Sequence, residues 1–90
     1  MKHVLIVDDA LEFGRLLQTA LAVLGHGMAV AVVPSAEEAL LESGRYPVDL
    51  LVTDYRLPGM TGFELVRKIR LQQPKIKVIL VTGLTDARLG

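Results

Sequence analysis

The chain contains no cysteine, which excludes disulfide frameworks, thiolate metal sites and cysteine nucleophiles. It also lacks an excess of either charge: ten basic and ten acidic residues cancel to a formal net charge of zero. No long-range attraction to nucleic acid or to anionic lipid is implied. No apolar stretch is long enough to cross a bilayer. The opening Met1-Lys2-His3-Val4 is too short on its basic side, and the run after it ends at Asp8, so it makes a poor signal peptide. A cytoplasmic location is the simplest expectation. There is no internal repeat, low-complexity segment or linker. Ninety residues bound the chain to one small domain, and a hydrophobic share of 51% suffices for a core.

What is present is organised around Val48-Asp49-Leu50-Leu51-Val52-Thr53-Asp54. This apolar, β-branched run lies between the Gly44/Pro47 and Pro58/Gly59 turn signals and stops at a carboxylate, the pattern of a buried central strand. Val4-Leu5-Ile6-Val7 is a similar run ending in Asp8-Asp9. Phe13, Leu16, Leu17, Ala20, Leu21 and Leu24 then recur at helical spacing, with Asp9 as N-cap and Gly25-His26-Gly27 as the stop. Gly14 costs that helix roughly 1 kcal/mol against alanine. Met28 to Val33 reads as a strand stopped by Pro34. Ser35 and Glu38 start a short helix that Gly44 ends; Thr61 and Glu64 form a second capping box. Phe63, Val66, Ile69 and Arg70 mark one face of the helix that follows, and Pro74 closes it. Lys77 to Thr82 is the fourth strand, and Gly83 to Gly90 is loop with room for one helical turn.

The β-α-β-α-β-α-β order predicts parallel strands joined by right-handed helical crossovers. The expected fold is an α/β, flavodoxin-like, doubly wound parallel sheet with strand order 2-1-3-4. In that order strands 1 and 3 are neighbours, and Asp8, Asp9 and Asp54 are expected to crowd the crevice at their carboxyl ends. Like charges so close need neutralising. Mg²⁺ suits oxygen ligands and needs only one or two carboxylates plus a phosphate. Thr82 would bring a hydroxyl for a phosphoryl oxygen, and Gly83 would allow close backbone approach.

Each residue alone has an ordinary reading. Asp8 or Asp9 caps a helix. Asp54 forms a turn. Thr82 is a strand end, and Pro58-Gly59 is a turn in any case. His3 and His26 lack ligand spacing and read as surface or loop residues. Arg67, Lys68 and Arg70 read as a solvated helix face. The joint placement of Asp8, Asp9, Asp54 and Thr82 at three neighbouring strand ends is the stronger signal.

The same residues resemble a known family. Val4-Leu5-Ile6-Val7-Asp8-Asp9, Leu51-Val52-Thr53-Asp54-Tyr55-Arg56-Leu57-Pro58-Gly59-Met60-Thr61-Gly62 and Val78-Ile79-Leu80-Val81-Thr82-Gly83 are similar to the receiver domain of two-component response regulators. The resemblance implies that Asp54 takes a phosphoryl group from a phosphohistidine on a sensor kinase or phosphotransfer protein. It implies Mg²⁺ bound by Asp9, by Asp8 partly through water, by Asp54 and by the backbone carbonyl of Arg56. It implies that Thr82, with Gly83, contacts the phosphoryl group, and that the signal passes to an output domain or protein. The chain would be a phosphoacceptor rather than an enzyme.

The family pattern also includes a fifth strand ending in a phosphate-pairing lysine, then a last helix. Residues 1–90 stop before these, so the expectation is a receiver domain incomplete at its C-terminus, with no such lysine in this chain; Lys75 and Lys77 lie at the wrong end of the fourth strand. Self-association through the exposed, apolar edge of that strand, and weak phosphorylation, are the expected consequences. Two other functions compete with this one. A phosphohydrolase with an aspartyl nucleophile usually carries a second Asp two residues on, where this chain has Arg56. A receiver-like interaction scaffold that takes no phosphate has no need of Asp8, Asp9, Asp54 and Thr82.

Overall fold

A computed structural model describes residues 2–10, 12–24 and 27–81. Strand β1 (Lys2–Val7) leads to helix α1 (Glu12–Leu24), β2 (Met28–Val33), α2 (Ala36–Ser43) and β3 (Leu50–Asp54). Two short strands, β4 (Arg56–Leu57) and β5 (Met60–Thr61), precede α3 (Gly62–Gln72) and β6 (Lys77–Val81). The main sheet has the order β2-β1-β3-β6, with every pairing parallel. This is the expected 2-1-3-4 order, with β6 as the expected fourth strand. Among the described residues no helix is long and apolar enough to cross a membrane.

Alternation along the strands sends side chains to two faces. Leu5, Val7, Val33 and Leu51 face α2 and α3, where Ala39, Leu65, Val66 and Ile69 join them in the larger cluster. Val4, Ile6 and Val52 face the other way, with Leu17 and Leu21 of α1 against them.

Three expectations shift by a position or more. α1 was expected to bury Phe13, Leu16 and Leu24 along with Leu17 and Leu21, but Leu16 and Leu24 are 69% and 78% exposed. The stripe against the sheet is instead Gly14, Leu17, Gln18 and Leu21. Gly14 lets the helix lie close, and Gln18 Nε2 donates to the carbonyl of Val30 at 3.0 Å. In α3 the buried stripe is Gly62, Leu65, Val66 and Ile69; Phe63 is exposed. The central strand begins at Leu50 rather than Val48. The Val48 N–H is bonded by the side-chain oxygen of Gln73 at 2.6 Å, while Gln73 Nε2 donates to the carbonyl of Ser43 at 2.7 Å. One side chain thus stitches the α2–β3 connection to the end of α3.

At α2 and α3 the starting signals hold, the first in part: Ser35 accepts from the Glu38 N–H, and Thr61 with Glu64 forms the reciprocal box. The segment 55–60 is not plain loop: β4 and β5 form an antiparallel ladder, Arg56 opposite Thr61 and Leu57 opposite Met60. Gly59 turns it with φ +83°, a conformation that favours glycine. Arg67, Lys68 and Arg70 are exposed, as a solvated face should be. His3 stacks on Tyr46, ring centroids 4.5 Å apart; His26 lies outside the described residues.

Candidate functional site

Register decides what meets at the carboxyl end of the sheet. Val7 of β1 pairs with Thr53 of β3, so Asp8 and Asp54 leave the sheet at one level. Parity sends both toward the α1 face, continuing the side of Ile6 and Val52. The two carboxylates border one cleft with Ile6, Phe13, Val52 and Val81. Its cavity is about 10 Å³, close to the volume that admits a single water-sized sphere.

Asp8 is buried, 4% exposed. Its Oδ1 accepts from the Ala10 N–H at 3.1 Å and its Oδ2 from the Gly14 N–H at 2.8 Å. The cap expected of Asp9 is therefore seen at Asp8, whose side chain lies on the helix side of the strand end. An acid at the start of α1 also meets the positive end of the helix dipole. Asp9 is exposed.

Asp54 is half-buried. Its Oδ1 accepts from the Arg56 N–H at 3.3 Å, the turn-forming role open to any aspartate in this position. Its backbone is held more firmly. Thr53 Oγ1 donates to the Asp54 carbonyl at 3.0 Å, and the Tyr55 N–H donates to the carbonyl of Val81 at 2.9 Å. The Gly62 N–H donates to the carbonyl of Tyr55 at 2.5 Å. A Cβ on Gly62 would run into the Asp54 carbonyl oxygen, so glycine is what lets α3 start this close to it.

The expected crowding of three carboxylates is reduced to two. Among the described residues no group of three or more His, Asp or Glu side chains could hold a metal ion. Asp8 is drawn to the amides of the α1 start, Asp54 to the amide of Arg56, and like charges do not close on each other unaided. The donor chemistry nonetheless suits Mg²⁺: all oxygen, with two carboxylates on one cleft. The main-chain carbonyl of Arg56 lies on the connection that follows Asp54. Thr82 and Gly83 lie outside the described residues; Val81 before them pairs with Asp54. Lys77 pairs with Leu50 at the opposite end of the sheet from the cleft.

Three residues beside the cleft were not singled out from the sequence for this role: Gly14, Thr53 and Gly62. A glycine inside a helical pattern was the available signal for Gly14.

The family model described as the response regulator receiver domain matches residues 4–89. The two-component response regulator PhoP of Pseudomonas aeruginosa is 39% identical over 79 residues, 88% of this chain and 34% of PhoP. The DNA-binding transcriptional regulator NtrC of Salmonella typhimurium is 32% identical, over 90% of this chain and 17% of NtrC. The chain thus spans about a third or less of these curated relatives. Among solved structures, response regulator TrrA of Thermotoga maritima in complex with Mg²⁺–BeF superposes with TM-score 0.81 at 31% identity, covering 99% of this chain and 76% of TrrA. Chemotaxis protein CheY4 of Vibrio cholerae gives TM-score 0.82 at 27% identity, covering 99% of this chain and 74% of CheY4.

Proposed function

The chain belongs to the response regulator receiver domains of two-component systems, and from that premise we propose that Asp54 is its phosphoacceptor and that residues 1–90 act as one receiver unit. The observation that carries this reading is the shared level of Asp8 and Asp54 on one cleft, fixed by the pairing of Val7 with Thr53.

In the proposed step an Asp54 carboxylate oxygen attacks the phosphorus of a phosphohistidine on a sensor kinase or phosphotransfer protein. The P–O bond forms as the P–N bond breaks, and the imidazole nitrogen leaves with the electron pair and takes up a proton. Such a transfer asks the protein mainly for positioning and for neutralised charge. The backbone bonds to Thr53, Val81 and Gly62 fix where the nucleophile stands. Asp8, Asp9, Asp54 and the Arg56 carbonyl are the proposed holders of Mg²⁺, which when bound would neutralise charge on the phosphoryl oxygens. Thr82 and Gly83 are the proposed contacts of the phosphoryl group. The acyl phosphate formed on Asp54 then signals to an output domain or protein, in keeping with the regulators among the relatives.

Treatment with acetyl phosphate and Mg²⁺ tests the reading by mass spectrometry. A gain of one phosphoryl group is expected, lost on chelation and lost in Asp54→Asn. Labelling that persists in Asp54→Asn would place the phosphoacceptor at another residue, and no labelling at all leaves the interaction-scaffold reading instead.

A further inference from the structure

We infer that Gly14 is a positioning residue for the cleft: its bare Cα lets α1 settle against β1 and β2, and this brings its N–H to the Asp8 carboxylate. The inference rests on the reading of Asp8 as a Mg²⁺-holding acid.

The geometry is specific to this helix. A Cβ at Gly14 would lie 2.7 Å from Val32 Cγ1, 3.2 Å from Ile6 Cγ2 and 3.4 Å from Asp8 Cβ. The first distance is shorter than real Cβ contacts allow, and the β-branched Val32 has few rotamers to yield with. An added methyl therefore lifts the first turn of α1 from the sheet. The bond broken by that movement is the 2.8 Å contact from the Gly14 N–H to Asp8 Oδ2. Asp8 is buried, so losing an amide donor leaves that oxygen short of a partner. Its Oδ1 would keep the Ala10 N–H alone, and the carboxylate could rotate about its Cα–Cβ and Cβ–Cγ bonds. Both oxygens are now fixed by separate amides, one on each side of the carboxyl group. That leaves the orientation of Asp8 toward the cleft set by the depth at which α1 sits, and the depth is set by residue 14. Leu17 and Leu21 hold the helix against the sheet further along, whereas Gly14 is the contact in its first turn, beside Asp8.

The test is a MgCl₂ titration of the unphosphorylated chain, followed by backbone amide shifts in NMR. Groups that orient a metal-binding side chain typically change metal affinity by about 10-fold or more when lost. Gly14→Ala should weaken Mg²⁺ binding by about that factor and move the residue-14 amide proton upfield as its bond to Asp8 is lost. Gly14→Ala/Val32→Ala, which removes the colliding methyl, should restore both. The double variant also carries the test if Gly14→Ala does not fold. Unchanged affinity with the amide shift also unchanged overturns the inference. So does a loss of affinity that Val32→Ala fails to relieve. A moved amide shift with unchanged Mg²⁺ affinity instead overturns the metal role of Asp8 while upholding the positioning by Gly14.

Discussion

The two faces of the sheet are built differently. Toward α2 and α3 the described residues include twelve buried members of one cluster, among them Leu5, Leu51, Leu65 and Ile69. Toward α1 the buried apolar cluster among the described residues is Val4, Ile6 and Val52, and much of the helix's apolar surface, including Leu16, Val23 and Leu24, stands exposed. The candidate site lies on the thin face. Asp54 is nevertheless backed by the thick one, because α3 begins against its carbonyl. Asp8 has no such backing and is placed by two hydrogen bonds. Packing thus positions one carboxylate, and hydrogen-bond geometry positions the other.

The largest expected difference is in stability. Leu65 is fully buried in the thick cluster, whereas Leu21 is partly buried on the thin face. Leu→Ala in a core costs about 2–5 kcal/mol, and less where the site was part open. Leu65→Ala should therefore lower the urea unfolding free energy by about 3 kcal/mol and Leu21→Ala by about 1 kcal/mol. Equal losses would remove the contrast between the faces.

Next in size is the effect at Gly62. Its added Cβ would meet backbone, the carbonyl oxygen of Asp54, which has no rotamer to yield. Overpacking of this kind costs roughly 1–3 kcal/mol. Gly62→Ala should fall in that range and shift the amide resonances of Asp54 and Tyr55. A Gly62→Ala variant that keeps wild-type stability and spectrum would mean that α3 does not fix Asp54 by contact.

These predictions turn on details that differ in how far the sequence displayed them. Strand order, the parallel sheet and the meeting of Asp8 with Asp54 were legible, because a continuous apolar, β-branched run that ends in an acid marks both a strand and its exit. The capping box of Thr61 with Glu64 was legible for the same local reason. The buried stripes of α1 and α3 were not, since counting large apolar residues overlooks glycine. Gly14 and Gly62 each define the contact stripe of their helix by having nothing to bury. The choice of Asp8 over Asp9 as the acid at the α1 start depends on strand parity, which neighbouring identical residues conceal. The Gln73 stitch joins positions 25 and 30 residues apart, and no local pattern announces it.

The smallest effect concerns a polar link at the edge of the thick face. Tyr46 packs on that cluster, and its hydroxyl donates to Glu42 Oε2 at 2.7 Å. Burial, then the Glu42 carboxylate, pushes the Tyr46 hydroxyl up from 10.0 to about 12. Glu42 is held below its usual value of 4.5, first by the Tyr46 hydrogen bond and then by Arg45, 3.0 Å away. Linkage gives opposite signs at the two ends of the pH scale. Above pH 10 the unfolded tyrosine ionises while the folded one resists, so its contribution should fade as pH rises from 10.0 to about 12. Below pH 4.5 the unfolded glutamate takes a proton before the folded one, so its contribution should fade as pH falls through the lower folded value. Melting temperatures of wild type and Tyr46→Phe, measured across both ranges, should therefore favour the wild type most near neutral pH, draw together as pH falls, and draw together and then cross as pH rises past 10.0, since phenylalanine has no hydroxyl to ionise. The gap should be small, since Glu42 is near solvent and surface pairs contribute little. Curves that stay parallel from acid to alkali would show that the thick face is held by apolar packing alone, with this link adding nothing.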